Sequence, residues 1–416
     1  MKNLLLLSTL LASTAFSQTP IVSEKKYYQS LNPKTRLEIL AHSKTRKSMS
    51  FAESQNSFKK EDDKDNLTQK IDVVNYLSEA CGFTYTRDAE GNPVRPTVNC
   101  TYDPRAADDG FNGMTAKFDC KFEMTNKNGE KKFKTLKVKY DPYKQQGGGY
   151  KEIPQAIMGT LFARLLGFHT GNYCPMNVVC NDCPNDNPWE LSNKSTGAAA
   201  AGSRVEFNNV VVAVNLPGYK IMDTNNTDPV KAVGFYFKNE LNKIYPADQQ
   251  LAENLRIERD ALTLWINFAL ARDAGAYNTK MYCIKSVPAS EANPHPTCLE
   301  SVAIINDYGN AFGYEGQKEK MSLSKFLRPA FRSNFNSFDS HQSNELITTG
   351  ANGTAGADGV KISEAGRDLF VKSAEAITDQ QLDDILKLAQ IQLTSDSNIQ
   401  KWKDGFRRKV KSVKEH

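Results

Sequence analysis

The stretch from Leu262 to Gly313 constrains this chain more than any other part of it. It reads LTLWINFALARDAGAYNTKMYCIK, passes through an insert, and resumes as SVAIINDYGNAFG. Its start belongs to a helical pattern from Leu251 to Arg272. In that pattern Leu255, Leu262, Trp265, Ile266 and Ala269 make one buried stripe. Two short apolar strands follow, on either side of the insert. Three polar residues stand at the ends of these elements. Asp273 follows the helix, Asn278 precedes the first strand, and Asp307 ends the second, just before Tyr308-Gly309. An acid, an amide and a second acid so placed are what a site for nucleotide phosphates and a metal ion needs.

The chain begins MKNLLLLSTLLASTAFSQ: one Lys, an apolar run too short to span a bilayer, then small residues before Gln18. This pattern predicts a secretory signal at 1–17 and an exported, bacterial protein, periplasmic or secreted. No later segment approaches a transmembrane run. The formal charge is +5, and losing Lys2 leaves +5 − 1 = +4. That is too mild for nucleic acid, and no run of interleaved Arg and aromatic residues argues for it. Eight Cys in an exported chain favour disulfides. Cys283 and Cys298 flank the insert and are expected to pair, and two of Cys174, Cys180 and Cys183 are expected to pair. The alternative is zinc, held by Cys180-x-x-Cys183 with His295-x-x-Cys298.

Residues 18–70 read as a polar, mobile N-terminal segment, with the run KKEDDKDN at its centre and a short helix over Leu37 to Ala41. Globular text starts near Ile71 with IDVVNYLSEA and a stop at Gly82. The string DDGFNG then places Gly110 and Gly113 ahead of an alternating strand, TAKFDCKFEM. A turn at Asn128-Gly129 and a second strand, FKTLKVKY, complete a hairpin. On that second strand Thr135, Lys137 and Lys139 share one face, and Leu136 and Val138 the other. A helix follows over KEIPQAIMGTLFARLLGF, with Pro154 in its first turn and Gly167 as its stop. Val210 to Val214 reads as a buried strand ending in a Pro-Gly turn. A last clear helix, QQLDDILKLAQIQL, is capped by Thr378 or Asp379.

In order along the chain stand a Gly loop, a Lys strand, a helix-start Glu152, then Asp273, Asn278 and Asp307. This order resembles the protein-kinase-like superfamily in its atypical branch, which includes the phosphatidylinositol 4-kinase-like, HipA-like and secretory-pathway kinase families. Ala271-Arg272-Asp273 with Asn278 resembles the catalytic-loop pattern, and Asp307-Tyr308-Gly309 resembles the Asp-Phe-Gly metal motif. The resemblance covers roughly residues 105 to 315. It implies an α+β, bilobed fold: a small antiparallel-sheet N-lobe with one helix over 71–217, and a mainly helical C-lobe over 218–416. It further implies a phosphotransferase using ATP and Mg²⁺ (or Mn²⁺) on a protein, lipid or small-molecule acceptor, with AMP transfer as a variant. Lys139, with Lys137 as its fallback, would hold the phosphates beneath Gly110 and Gly113. Glu152 would pair with the lysine, Asp273 would serve the acceptor, and Asn278 and Asp307 would bind the metal. The chain departs from the pattern in several places. Ala271 replaces the usual His, Ala274 follows the catalytic Asp where many relatives have Arg, the loop has two Gly rather than three, and the insert over Ser286–Pro296 is long.

Two other readings compete with an active enzyme. One is an inactive kinase-like fold serving as an exported binding or envelope protein. The other is an unrelated α+β domain held by disulfides, in which Asp273 and Asn278 are turn residues, the Lys strand is a solvated edge, and Glu152 is a surface acid. Other enzyme classes find no motif: there is no G-x-S-x-G, H-E-x-x-H, Walker loop or EF-hand loop.

Overall fold

The computed structural model describes residues 33–46, 71–104, 116–125, 131–140, 152–184, 201–214, 216, 218–221, 241–271, 278–287, 297–309, 311–312, 322–327, 362–394 and 396–415. The expected signal, the Gly110/Gly113 loop, the Asn128-Gly129 turn and Asp273 lie outside these residues.

The chain is a mixed α+β protein. It opens with α1 (Pro33–His42), α2 (Val73–Cys81), and the short strands β1 (Thr86–Arg87) and β2 (Pro93–Val94). In α2 the Asp72 carboxylate accepts the Asn75 N–H, and Gly82 turns left-handed at φ 71° to end the helix, as its sequence predicts. Next come β3 (Thr97–Tyr102), β4 (Lys117–Thr125), β5 (Lys131–Lys139), α3 (Ile153–Leu165), β6 (Asn172–Asn181) and β7 (Arg204–Val214). The five strands close into a barrel in the order β3-β4-β5-β7-β6.

All barrel pairings are antiparallel except β3–β6, which is parallel, with Cys100 opposite Cys180. The expected all-antiparallel sheet is thus corrected at its closure. Helix α3 lies in the long crossover between β3 and β6, the kind of connection that parallel strands require. Strand alternation sends Phe118, Phe122, Leu136 and Val138 inward, all buried. There Phe118 meets Phe207 of β7 at 4.8 Å between ring centroids. The opposite face carries Lys117, Lys137 and Lys139.

A second sheet has the order β10-β9-β8, from β8 (Tyr219–Lys220), β9 (Thr279–Val287) and β10 (Thr297–Ile305), all antiparallel. The remaining described elements are the helices α4 (Gln249–Phe268), α5 (Leu323–Phe326), α6 (Glu364–Glu375), α7 (Asp379–Leu388) and α8 (Ile399–Lys414), and a 3-10 turn at Ile391–Leu393. Thr378 and Gln381 cap α7 reciprocally. Trp265, Phe268, Phe312, Phe326 and Phe406 form an aromatic core, and Phe162 of α3 stacks on Phe406 of α8 at 5.0 Å. The barrel's helix therefore shares one continuous core with the helical part.

Two boundaries differ from the sequence reading. Residues 40–46 are held against α4 and β10. Arg259 of α4, itself fully buried, donates to the carbonyls of Leu40, Ala41 and Ser43. Beyond α1, Lys44 pairs in parallel with Val302 of β10. Polar composition hid this because the segment is held through its backbone. Helix α4 also stops at Phe268 instead of Arg272. Leu270 goes left-handed at φ 54°, and the N–H groups of Leu270 and Ala271 return to the carbonyls of Asn267 and Ile266. That is a Schellman stop made without glycine, so no turn residue announces it.

Four disulfides tie the fold: Cys81–Cys174, Cys100–Cys120, Cys180–Cys183 and Cys283–Cys298. The last bridges β9 to β10, as its position around the insert predicts.

Candidate functional site

The site starts from the antiparallel pairing of β9 with β10. Thr279 lies opposite Ile305, and beyond that pair the Asn306 N–H donates to the Asn278 carbonyl at 2.6 Å. This register brings Asn278 and Asp307, far apart in sequence, to the same end of one hairpin. The short link between α3 and β6 holds that end from the other side. Thr170 Oγ1 donates to the Ile305 carbonyl at 2.7 Å, and the Gly171 N–H donates to it at 3.2 Å.

Asp307 receives the ammonium of Lys139, with Nζ 2.7 Å from Oδ2. Its other oxygen accepts the Gly309 N–H at 2.9 Å. Lys139 also donates to the Tyr173 hydroxyl at 3.2 Å and lies 4.7 Å from that ring's centroid. Burial alone would raise the Asp307 carboxyl, but the Lys139 charge, both hydrogen bonds and the nearby Lys117 charge hold it below its ordinary value. Burial likewise disfavours the Lys139 cation, and Asp307 and Tyr173 more than offset this, so its pKa is raised. The Tyr173 phenol is pushed up to about 12, by burial first and then by Asp307.

The outward face of the barrel adds a second cation. Lys117 on β4 lies directly opposite Lys139 on β5, and both are buried. Like charges across a strand pair repel unless an anion lies between them. Here Asp307 feels both lysines.

Asp307-Tyr308-Gly309 is fixed by its middle residue. Tyr308 is buried, its hydroxyl accepts from Trp265 Nε1 at 3.2 Å, and its ring lies on Gly159 of α3. A Cβ at Gly159 would fall 2.3 Å from the Tyr308 Cβ. At Gly309 a Cβ would stand 3.1 Å from Glu152 Oε2 and 3.2 Å from Asp307 Oδ1. Two carboxylates therefore flank Gly309, and a side chain there would press on both.

Of the residues read from sequence, Lys139, Glu152, Asp307 and the backbone of Asn278 gather in this one region. Glu152 stands at the start of α3 without capping it through its side chain. Gly110, Gly113 and Asp273 lie outside the described residues. Sequence reasoning missed Lys117, Tyr173 and Gly159. The strand alternation that singled out Lys139 also puts Lys117 on a single face of TAKFDCKF, which was its available signal. Tyr173 and Gly159 reach the site through the packing of β6 and α3, and no local pattern marks them. Oxygen donors from Asp307, Glu152 and Asn278 would suit a hard divalent cation, and buried ammonium groups would suit phosphate oxygens.

No family model matches this chain, and no curated protein does. Among solved structures the chain is similar to a proinflammatory kinase of Helicobacter pylori, CtkA. The identity is 12%, the match covers 77% of this chain and 94% of that one, and the TM-score is 0.37.

Proposed function

We propose that this chain is an exported, atypical kinase-like phosphotransferase, built as two lobes and using ATP with Mg²⁺ or Mn²⁺. The observation that carries the reading is the ion pair of buried Lys139 with half-buried Asp307, set opposite a second buried lysine, Lys117. Two cations at one barrel edge invite a polyanion. An aspartate kept ionised beside them can exchange its lysine for a metal ion.

In this reading Lys139 and Lys117 would bind phosphate oxygens, and Asp307 and Asn278 would hold the metal. Glu152 would pair with the Lys139 ammonium once Asp307 served as a metal ligand. Asp273 orients or deprotonates the acceptor hydroxyl, and the Gly110/Gly113 loop covers the phosphates. A metal ion held there would supply charge neutralisation for the transferring group. Four disulfides support an oxidising location, periplasmic or secreted. ATP is scarce there, so the enzyme acts where it meets nucleotide, after delivery into another cell, or uses another phosphate donor. The acceptor is a protein, a lipid head group or a small molecule.

A second reading has one observation in its favour: Ala271 stands where the catalytic-loop His is usual, and it is buried. The protein would then bind nucleotide without turning it over. Thermal shift with ATP and Mg²⁺ or Mn²⁺, followed by intact mass spectrometry, separates the two. The enzyme reading requires a nucleotide-dependent rise in melting temperature, lost in Asp307→Ala relative to that variant's own baseline, and a mass gain of a phosphoryl or adenylyl group. A shift without any mass gain, on the chain or on offered acceptors, leaves the binding protein. Absence of any shift sinks both.

A further inference from the structure

Two of the disulfides, Cys100–Cys120 and Cys180–Cys183, lie side by side in the barrel. Cys100, Cys120 and Cys180 have their sulfurs within 4.8 Å of one another. Among the described residues no other group of His, Cys, Asp or Glu side chains meets that test. Cys183 is bonded to Cys180 and completes a set of four. All four are buried, on three adjacent elements of the barrel. Cys100 lies opposite Cys180 in the parallel β3–β6 pair, Cys120 lies opposite Tyr102 in the β3–β4 pair, and Cys183 follows β6.

Cys120 Sγ and Cys180 Sγ, which belong to different disulfides, are 3.9 Å apart. With Zn–S bonds of about 2.3 Å, the edge of a tetrahedral zinc tetrathiolate is about 3.8 Å. The non-bonded contact already has the length of such an edge. The other edges need the two disulfides to open; the bridged Cα atoms stand 5.7 and 5.8 Å apart. Cys180-x-x-Cys183 supplies the short-loop pair that structural zinc sites use, and the β3–β4 hairpin supplies the second pair. The turn between Cys180 and Cys183 is itself held. Asp182 sits left-handed at φ 56°, its N–H donates to the Ser203 carbonyl at 2.8 Å, and its carboxylate accepts the Gly202 N–H at 2.8 Å.

We propose that Cys100, Cys120, Cys180 and Cys183 form a structural tetrathiolate zinc site when the chain is in a reducing compartment, and two disulfides when it is in an oxidising one. The chemistry balances. A dithiol reductant gives two electrons and two protons to each disulfide and is itself oxidised to a disulfide, leaving four thiols. Zinc then binds four thiolates and releases four protons. The disulfides join β3 to β4 and close the turn after β6, whereas the zinc form would tie β3, β4 and β6 together at the parallel pair that closes the barrel. The site does not depend on the phosphotransfer reading.

The test uses the full mature chain, reduced with a phosphine under anaerobic conditions, freed of reductant and titrated with Co²⁺ alone. One equivalent should bind, with intense sulfur-to-cobalt charge-transfer absorption and the visible bands of a tetrahedral ion. One equivalent of Zn²⁺ should bleach them and raise the melting temperature of the reduced chain. The double variant Cys180→Ser/Cys183→Ser should lose the bands, whereas Cys283→Ser/Cys298→Ser should keep them. The single variant Cys183→Ser should keep a weaker, three-thiolate spectrum, which guards against misreading a folding defect. The proposal is overturned if the reduced wild-type chain gives no thiolate–cobalt bands. It is equally overturned if the bands survive Cys180→Ser/Cys183→Ser, or if zinc leaves an unfolded reduced chain unfolded.

Discussion

Tyr308 sits directly on Gly159: a Cβ placed on that glycine would lie 2.3 Å from the Tyr308 Cβ and Cγ. Both groups are close to their backbones, so neither can swing away. Replacing a helix-interior glycine by alanine ordinarily stabilises a helix by roughly 0.5–1 kcal/mol. Here the overpacking term, about 1–3 kcal/mol, outweighs it. Gly159→Ala should therefore lower the melting temperature, and it should also weaken any nucleotide-induced shift because Tyr308 carries Asp307 with it. Differential scanning calorimetry of the variant with and without ATP and Mg²⁺ checks both.

The Lys139–Asp307 pair sets an acid limit on stability. The Asp307 carboxyl is held below its ordinary value in the fold. A depressed carboxyl contributes stability above its unfolded pKa, about 3.9, and loses it as pH falls through the lower folded value. Asp307→Asn should remove that part of the acid limb. It should also leave Lys139 buried without its anion, at a cost on the order of 3–5 kcal/mol at neutral pH. Urea unfolding of wild type and variant from neutral to acid pH should show the two curves converging as the wild-type Asp307 protonates. Curves that stay parallel would refute the assignment.

Legibility followed locality. The alternation of FKTLKVKY put Lys139 on the face opposite Leu136 and Val138, and the structure has this arrangement. Helices α2, α3 and α7 were legible because caps and stops such as Gly82, Gly167 and Thr378 mark their ends. Asn278 and Asp307 could be singled out because each ends an apolar run, but their adjacency follows from β9–β10 register, which the run alone does not specify. Helices α6 and α8 were not read, nor was β6. Their buried positions face partners distant in sequence: Phe370 packs against Phe268, Trp402 against Phe326, and Met176 lies opposite Val210. The strap at 40–46 was hidden for the same reason.

That strap depends on one side chain. Arg259 is fully buried and donates to the carbonyls of Leu40, Ala41, Ser43, Leu241 and Ile244, with distances from 2.6 to 3.1 Å. It also stacks 4.9 Å from the Tyr245 ring centroid. Burial lowers its pKa to about 10, with Tyr245 opposing the shift, so it stays charged at neutral pH. Arg259→Met would keep much of the volume and strip donors from five buried carbonyls, each costing about 1–3 kcal/mol when left unpaired. The expected loss is several kcal/mol. Hydrogen exchange should localise the loosening to residues 40–46 and to their partners at Ser301 and Ala303. A loss of global stability with unchanged protection at 40–46 would refute the strap.

Lys409 makes the opposite kind of buried cation, one that costs stability. Its ammonium donates to the carbonyls of Phe268 and Phe326, the last residues of α4 and α5, at 2.7 Å each, and lies 4.4 Å from the Phe326 ring centroid. It is 6% exposed. Burial pushes its pKa down to about 7, with no charged group contributing to the shift. In the unfolded chain a lysine titrates near 10.4. Between these values the unfolded state holds a proton that the folded state lacks, so stability rises with pH across that window. Lys409→Met should flatten this rise and increase stability below pH 7, where the folded chain bears the full cost of the buried charge. The gain will be smaller than the few kcal/mol implied by the shift, because two helix-end carbonyls lose their donor. Chemical denaturation of both proteins from pH 6 to 10 reads the slope directly, and an unchanged slope in the variant would place the titrating group elsewhere.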